Sequence, residues 1–212
     1  MKTLLISVFM LFVLTLPVFG AGVSASPTVP STDKDTKLDD ITGYGDFLLR
    51  GPIPDLEYAA GPILDNSSTP DMQIYTYVMY EPFNSGGQTA TATVAVLTLD
   101  SNVFSTIVEF DNLILEASDI DDIVVFVRSL RTSLVDKYSR DLILGNYFNF
   151  GDDYSNYESV YTGYLGLQDD EGDAILMSWD GYELSLIYTT AEAWEMANAI
   201  NENATEQTRE RI

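Results

Sequence analysis

A chain of 212 residues with 46% hydrophobic content can bury one sizeable core and is too apolar to be disordered. Its formal charge is −23, from 33 acidic and 10 basic residues, a surface that repels nucleic acid phosphates and anionic membrane surfaces. It has no Cys and no His, which excludes disulfides, thiol nucleophiles, Ser-His-Asp triads and the usual zinc, copper and haem ligands.

What chemistry remains is that of carboxylates, of a Ser-Lys pair, or of hard cations on oxygen ligands. The acidity suits a high-salt medium, where ions screen self-repulsion, and equally an exported protein that holds cations.

Met1 to Ala25 reads as a secretory signal peptide. Lys2 supplies the positive start, Leu4 to Phe19 is apolar, and Val23-Ser24-Ala25 fits a small-residue cleavage site. The apolar run is shorter than the roughly 20 residues of a membrane span, so cleavage is expected, with an uncleaved N-terminal anchor as the alternative. Residues 26–45 are rich in Ser, Thr, Pro and Asp and read as a flexible spacer. One domain is expected over 46–202, followed by a polar tail over 203–212.

Pro52, Pro54 and Pro62 break the domain's entry into short strands and turns. Asn66-Ser67-Ser68 and Asn203-Ala204-Thr205 are N-x-S/T sequons in polar contexts, which makes Asn66 and Asn203 candidate glycosylation sites. Met72 to Tyr80 and Thr89 to Leu99 form a strand pair across the turn-rich EPFNSGGQ. Val103 to Leu115 fits either a helix or a strand broken at Asp111-Asn112, and its β-branched content selects the strand. Ser118 caps a helix running to about Arg140, with Ile120, Val124, Val127, Leu130, Leu134 and Tyr138 on one apolar stripe. Arg128, Arg131, Lys137 and Arg140 gather toward its end, where cations complement the helix dipole; an anion or partner dock is the functional alternative.

A meander of strands follows. Its last hairpin centres on Asp180-Gly181, whose type I′ turn would pair Trp179 with Tyr182, Met177 with Leu184 and Ile175 with Leu186. These residues share one apolar face, and Leu176, Ser178, Glu183, Ser185 and Ile187 form a mixed second face. Thr189 and Glu192 fit a capping box for a short helix carrying Trp194, Ala197 and Ile200 on one side, which would cover the apolar face. The fold class expected is α+β: an antiparallel sheet of about five to seven strands, one long central helix near 118–140, and a short C-terminal helix near 190–202 packed on it.

The segment Gly181-Tyr182-Glu183-Leu184-Ser185-Leu186-Ile187-Tyr188-Thr189-Thr190, with Trp194 four residues on, resembles the last strand and helix of PsbP/Mog1-type domains. That resemblance implies an α/β/α-layered accessory or binding protein rather than a classical enzyme. It carries over no functional residue.

Three constellations could carry chemistry. Asp152-Asp153 and Asp169-Asp170-Glu171-Gly172-Asp173 are acidic turns, and Asp169, Asp170, Glu171 and Asp173 are the candidate Ca²⁺ ligands. They lack the alternating spacing of an EF-hand, and solvated turns are the simpler reading. Tyr and Phe crowd the C-terminal half, where strands prefer them for packing; Tyr154 and Tyr157, in an irregular stretch, are the candidates to meet a ligand such as a sugar ring. Any of many carboxylate pairs could serve glycoside hydrolysis, so that pattern selects none. The expectation is an exported, non-enzymatic binding or surface-interaction domain with no cofactor, meeting an extracellular protein or glycan. The alternatives are a carboxylate-based hydrolase of an extracellular polymer and a Ca²⁺-dependent adhesion module.

Overall fold

The computed structural model describes residues 37–66, 68–69, 72–111, 120–149, 162–179 and 183–196. Lys37–Ala193 form one compact unit, and residues 194–196 belong to a second. The fold is α+β, built on a large antiparallel sheet. Its elements are β1 (Gly43–Tyr44), β2 (Phe47–Leu48), β3 (Ala59–Leu64), β4 (Met72–Met79), β5 (Phe83–Ser85), β6 (Gln88–Leu99) and β7 (Asn102–Asp111). Then come α1 (Ile120–Lys137), a 3-10 turn (Arg140–Leu142), β8 (Ile143–Asn149), β9 (Thr162–Gln168), β10 (Ala174–Trp179) and β11 (Leu184–Thr189). A helical stretch over 191–196 closes the described chain.

Among the described residues the main sheet has nine strands, in the order β3-β4-β6-β7-β11-β10-β9-β8, with β5 paired to β6. The expected five to seven strands fall short because Gly61-Pro62 interrupts β3 and β5 is only 3 residues long. The last four strands form the expected meander. The join between the halves is β11 against β7, with Leu186 opposite Val108 and Ile187 opposite Ile107.

The hairpin register differs from the expected one. Trp179 pairs with Leu184, Met177 with Leu186 and Ile175 with Tyr188. β11 is held on its other side by β7, so tertiary pairing outweighs the two-residue turn preference. A displacement of two residues preserves face parity, and Ile175, Met177, Trp179, Leu184, Leu186 and Tyr188 all lie in one core. The second face departs from expectation, since Ser185 and Ile187 are buried. β11 is a central strand, buried along its full length.

α1 packs on the core face. Val124, Val127, Leu130, Leu134 and Tyr138 are buried, as the stripe predicts, and Ile123 and Phe126, outside that stripe, are buried beside them. Phe126, Phe110 and Phe83 interlock edge-to-face, with centroids 5.2–6.1 Å apart. The entry segment covers another part of that face through Phe47, which meets Tyr77 edge-on at 5.0 Å. The Tyr77 hydroxyl donates to the Pro54 carbonyl at 2.8 Å. Residues 37–38 satisfy the end of α1: Lys37 Nζ donates to Val135 O at 3.3 Å and Leu38 N to Lys137 O at 3.0 Å.

Candidate functional site

The site is an open groove of about 390 Å³ between α1 and β8, lined by Arg128, Arg131, Thr132, Asn146, Tyr147 and Phe148. The volume lies in the roughly 300–1,000 Å³ range of ligand sites. The helix period places its first wall. With Val127, Leu130 and Leu134 turned inward, Arg128, Arg131 and Thr132 fall on the outer flank of α1. The strand period places the second. Asn146 and Phe148 stand opposite Leu165 and Gly163 on the core face, and Tyr147 stands opposite Tyr164 on the other.

Two glycines shape this wall. A Cβ at Gly163 would overlap the Phe148 ring, so the bare backbone of β9 is what lets that ring lie across it. At Gly145 a Cβ would stand 2.8 Å from the Tyr164 ring. Tyr147 and Tyr164 then approach on the far face, with centroids 6.4 Å apart.

Arg131 is held in place from β8. Its Nε donates to Asn146 Oδ1 at 2.7 Å, and its guanidinium carbon lies 5.7 Å from the Phe148 ring centroid. Its two Nη nitrogens have no hydrogen-bond partner among the described residues. They form a fixed fork of donors, the geometry that binds a carboxylate through two parallel bonds. The other lining groups are a second guanidinium, a hydroxyl, an amide and aromatic rings.

The acidic turn that was a candidate Ca²⁺ site is built as a structural knot. Asp169 Oδ1 accepts from Glu171 N at 3.1 Å and Asp173 N at 3.0 Å, and its Oδ2 accepts from Ile41 N at 2.8 Å. Gly172, at φ +87°, closes the turn. Asp173 is buried and grips Arg50 bidentately, with Nη2 to Oδ1 at 2.8 Å; Oδ1 also accepts from Ala191 N at 3.2 Å. Arg50 reaches Glu192 at 3.2 Å as well. The Asp173 hydrogen bond raises the Arg50 pKa and keeps it charged. The turn brings the four acids together in sequence, but Asp169 and Asp173 face protein donors while Asp170 and Glu171 are exposed. A cation here would compete with Arg50 and four backbone N–H groups.

The cap of the 191–196 helix is Thr190, one residue beyond the expected Thr189: its Oγ1 accepts from Ala193 N at 3.2 Å. Glu192 is held below the usual carboxylate range by its own backbone N–H and then by the Thr190 hydroxyl. Asn66 is exposed in a turn, and Ser68 of its sequon bonds Ile74 through its hydroxyl. Tyr154, Tyr157, Asn203 and the turn Asp152-Asp153 lie outside the described residues.

Sequence reading marked the arginines of α1 and the aromatic richness of the C-terminal half without bringing them together. It missed Asn146, Thr132 and Gly163, and the pairing of Arg50 with Asp173. An aromatic opposite a strand glycine is the one signal that pointed to Phe148 and Gly163, and it needs the register to be read. No protein-family model, curated protein or solved structure matches the chain.

Proposed function

We propose that the chain is an exported, acidic, non-enzymatic binding module that meets its partner in the groove between α1 and β8. The observation that carries this is Arg131, fixed by Asn146 and Phe148 with its outer donors turned to an open groove. Side chains held before a ligand arrives lose little entropy on binding, which favours recognition. In this reading α1 is the principal helix of the domain and carries the cationic wall. The leader over Met1 to Ala25 supports export. The Gly181–Thr190 resemblance to PsbP/Mog1-type accessory and binding proteins points the same way.

The test is amide chemical-shift mapping on the full chain with carboxylate-bearing probes, run beside a polymer-hydrolysis panel. The expected result is perturbation at residues 128–132 and 146–148 without turnover. Turnover that disappears when one carboxylate is changed would make the chain a hydrolase and overturn the reading.

A further inference from the structure

The two edges of the main sheet are built differently. β3, at one end, carries Pro62, which has no N–H to offer, and an irregular register between Ala60 and Ile63. Proline and bulges blunt an edge against further pairing. β8, at the other end among the described residues, reads ILGNYFN, with no proline and no charged residue. After one irregularity between Ile143 and Gly145 its register is regular through Asn149. Leu144 and Tyr147 are more than half exposed. An edge of this kind is a template for another strand.

The groove runs along that edge. A strand added beside β8 would alternate its side chains, sending every second one to the core face. There it would stand next to Asn146 and Phe148, under the Arg131 fork. The complement of that wall is a carboxylate at alternate positions. Resting on the proposed binding role, we infer that β8 is a strand-addition site for an extended peptide with Asp or Glu at every second residue. Main-chain pairing with β8 supplies the affinity, and Arg131 supplies the side-chain selection. A long polyanion is disfavoured by the rest of the surface, at a net −23 for the chain, whereas a short acidic segment is screened from most of it beyond about 8 Å at physiological ionic strength.

The experiment titrates the full chain with an end-blocked peptide of alternating Glu and Val, as long as the 7 residues of β8. Companion probes are the same peptide with Lys for Glu, the same peptide N-methylated at alternate residues, free glutamate and inorganic phosphate. The Glu peptide should bind and perturb β8 amides, and the Lys and N-methylated forms should each bind at least about tenfold more weakly. Arg131→Gln should lose about tenfold for the Glu peptide. Thr132→Glu, at an exposed position of the groove wall, should weaken the Glu peptide and strengthen the Lys peptide. Equal binding of the N-methylated peptide would overturn strand addition. Phosphate or free glutamate binding as tightly as the peptide would make the groove a small-anion site and overturn the inference while leaving the binding role standing. No perturbation of the groove by any probe would overturn both.

Discussion

At the residue scale the best-defined interaction is Arg50 with Asp173. The Asp173 side chain is 3% exposed and that of Arg50 is 45% exposed, so the two ends are not equivalent. Removing Arg50 leaves a buried carboxylate without its counter-charge, whereas removing the Asp173 charge leaves a guanidinium that water can solvate. Arg50→Ala should therefore cost about 2–4 kcal/mol and Asp173→Asn about 1–2 kcal/mol, read from urea unfolding. The reverse order would show that the pair does not anchor the entry segment. Tyrosines set the alkaline limit. Tyr77 is pushed up to about 12 by burial, Tyr58 to about 12 by its hydrogen bond to Asp46, and burial also raises Tyr44 and Tyr188. Raised phenol pKa values favour the native state below the unfolded value of about 10, and that stability is lost as pH rises above it. Phenolate absorbance and circular dichroism followed together should show a late ionising group that titrates with unfolding. Independent, early ionisation of every tyrosine would contradict the packing of Tyr77. None of these partners was legible in sequence: Arg50 and Asp173 are 123 positions apart, and only the fold brings them together.

At the element scale much was legible. Aromatic and branched runs set off by turn residues located β4, β6 and the closing meander, and period-3.6 apolar residues located α1, because that pattern is imposed by burial of one side. The hairpin register was not legible, since Asp180-Gly181 favours one pairing while β7 holds β11 in another. The candidate site was legible by halves. The cations of α1 were visible at helical spacing, but their apposition to Asn146 and Phe148 depends on which strand ends the sheet. Gly163 tests that apposition. Gly163→Ala should force the Phe148 ring aside, lower stability by about 1–3 kcal/mol as an overpacking change, and weaken any ligand of the groove. Unchanged stability and binding would mean that the ring does not depend on the bare β9 backbone.

At the scale of the whole molecule, a strongly negative chain keeps a few cations, and their placement separates two roles. Lys137 lies in the last turn of α1, where cations complement the helix dipole, and Arg140 is exposed in the turn beyond it, while Arg131 is braced from the neighbouring strand. Composition could argue only that polyanions are poor partners for the chain, because net charge says nothing about where a local exception sits. The most direct measurement compares the affinity of the alternating Glu peptide for the full chain, for Arg131→Gln and for Arg140→Gln. The account predicts a loss of about tenfold at Arg131 and little change at Arg140. Equal losses at both positions would mean that unlocalised charge, and no groove, does the binding.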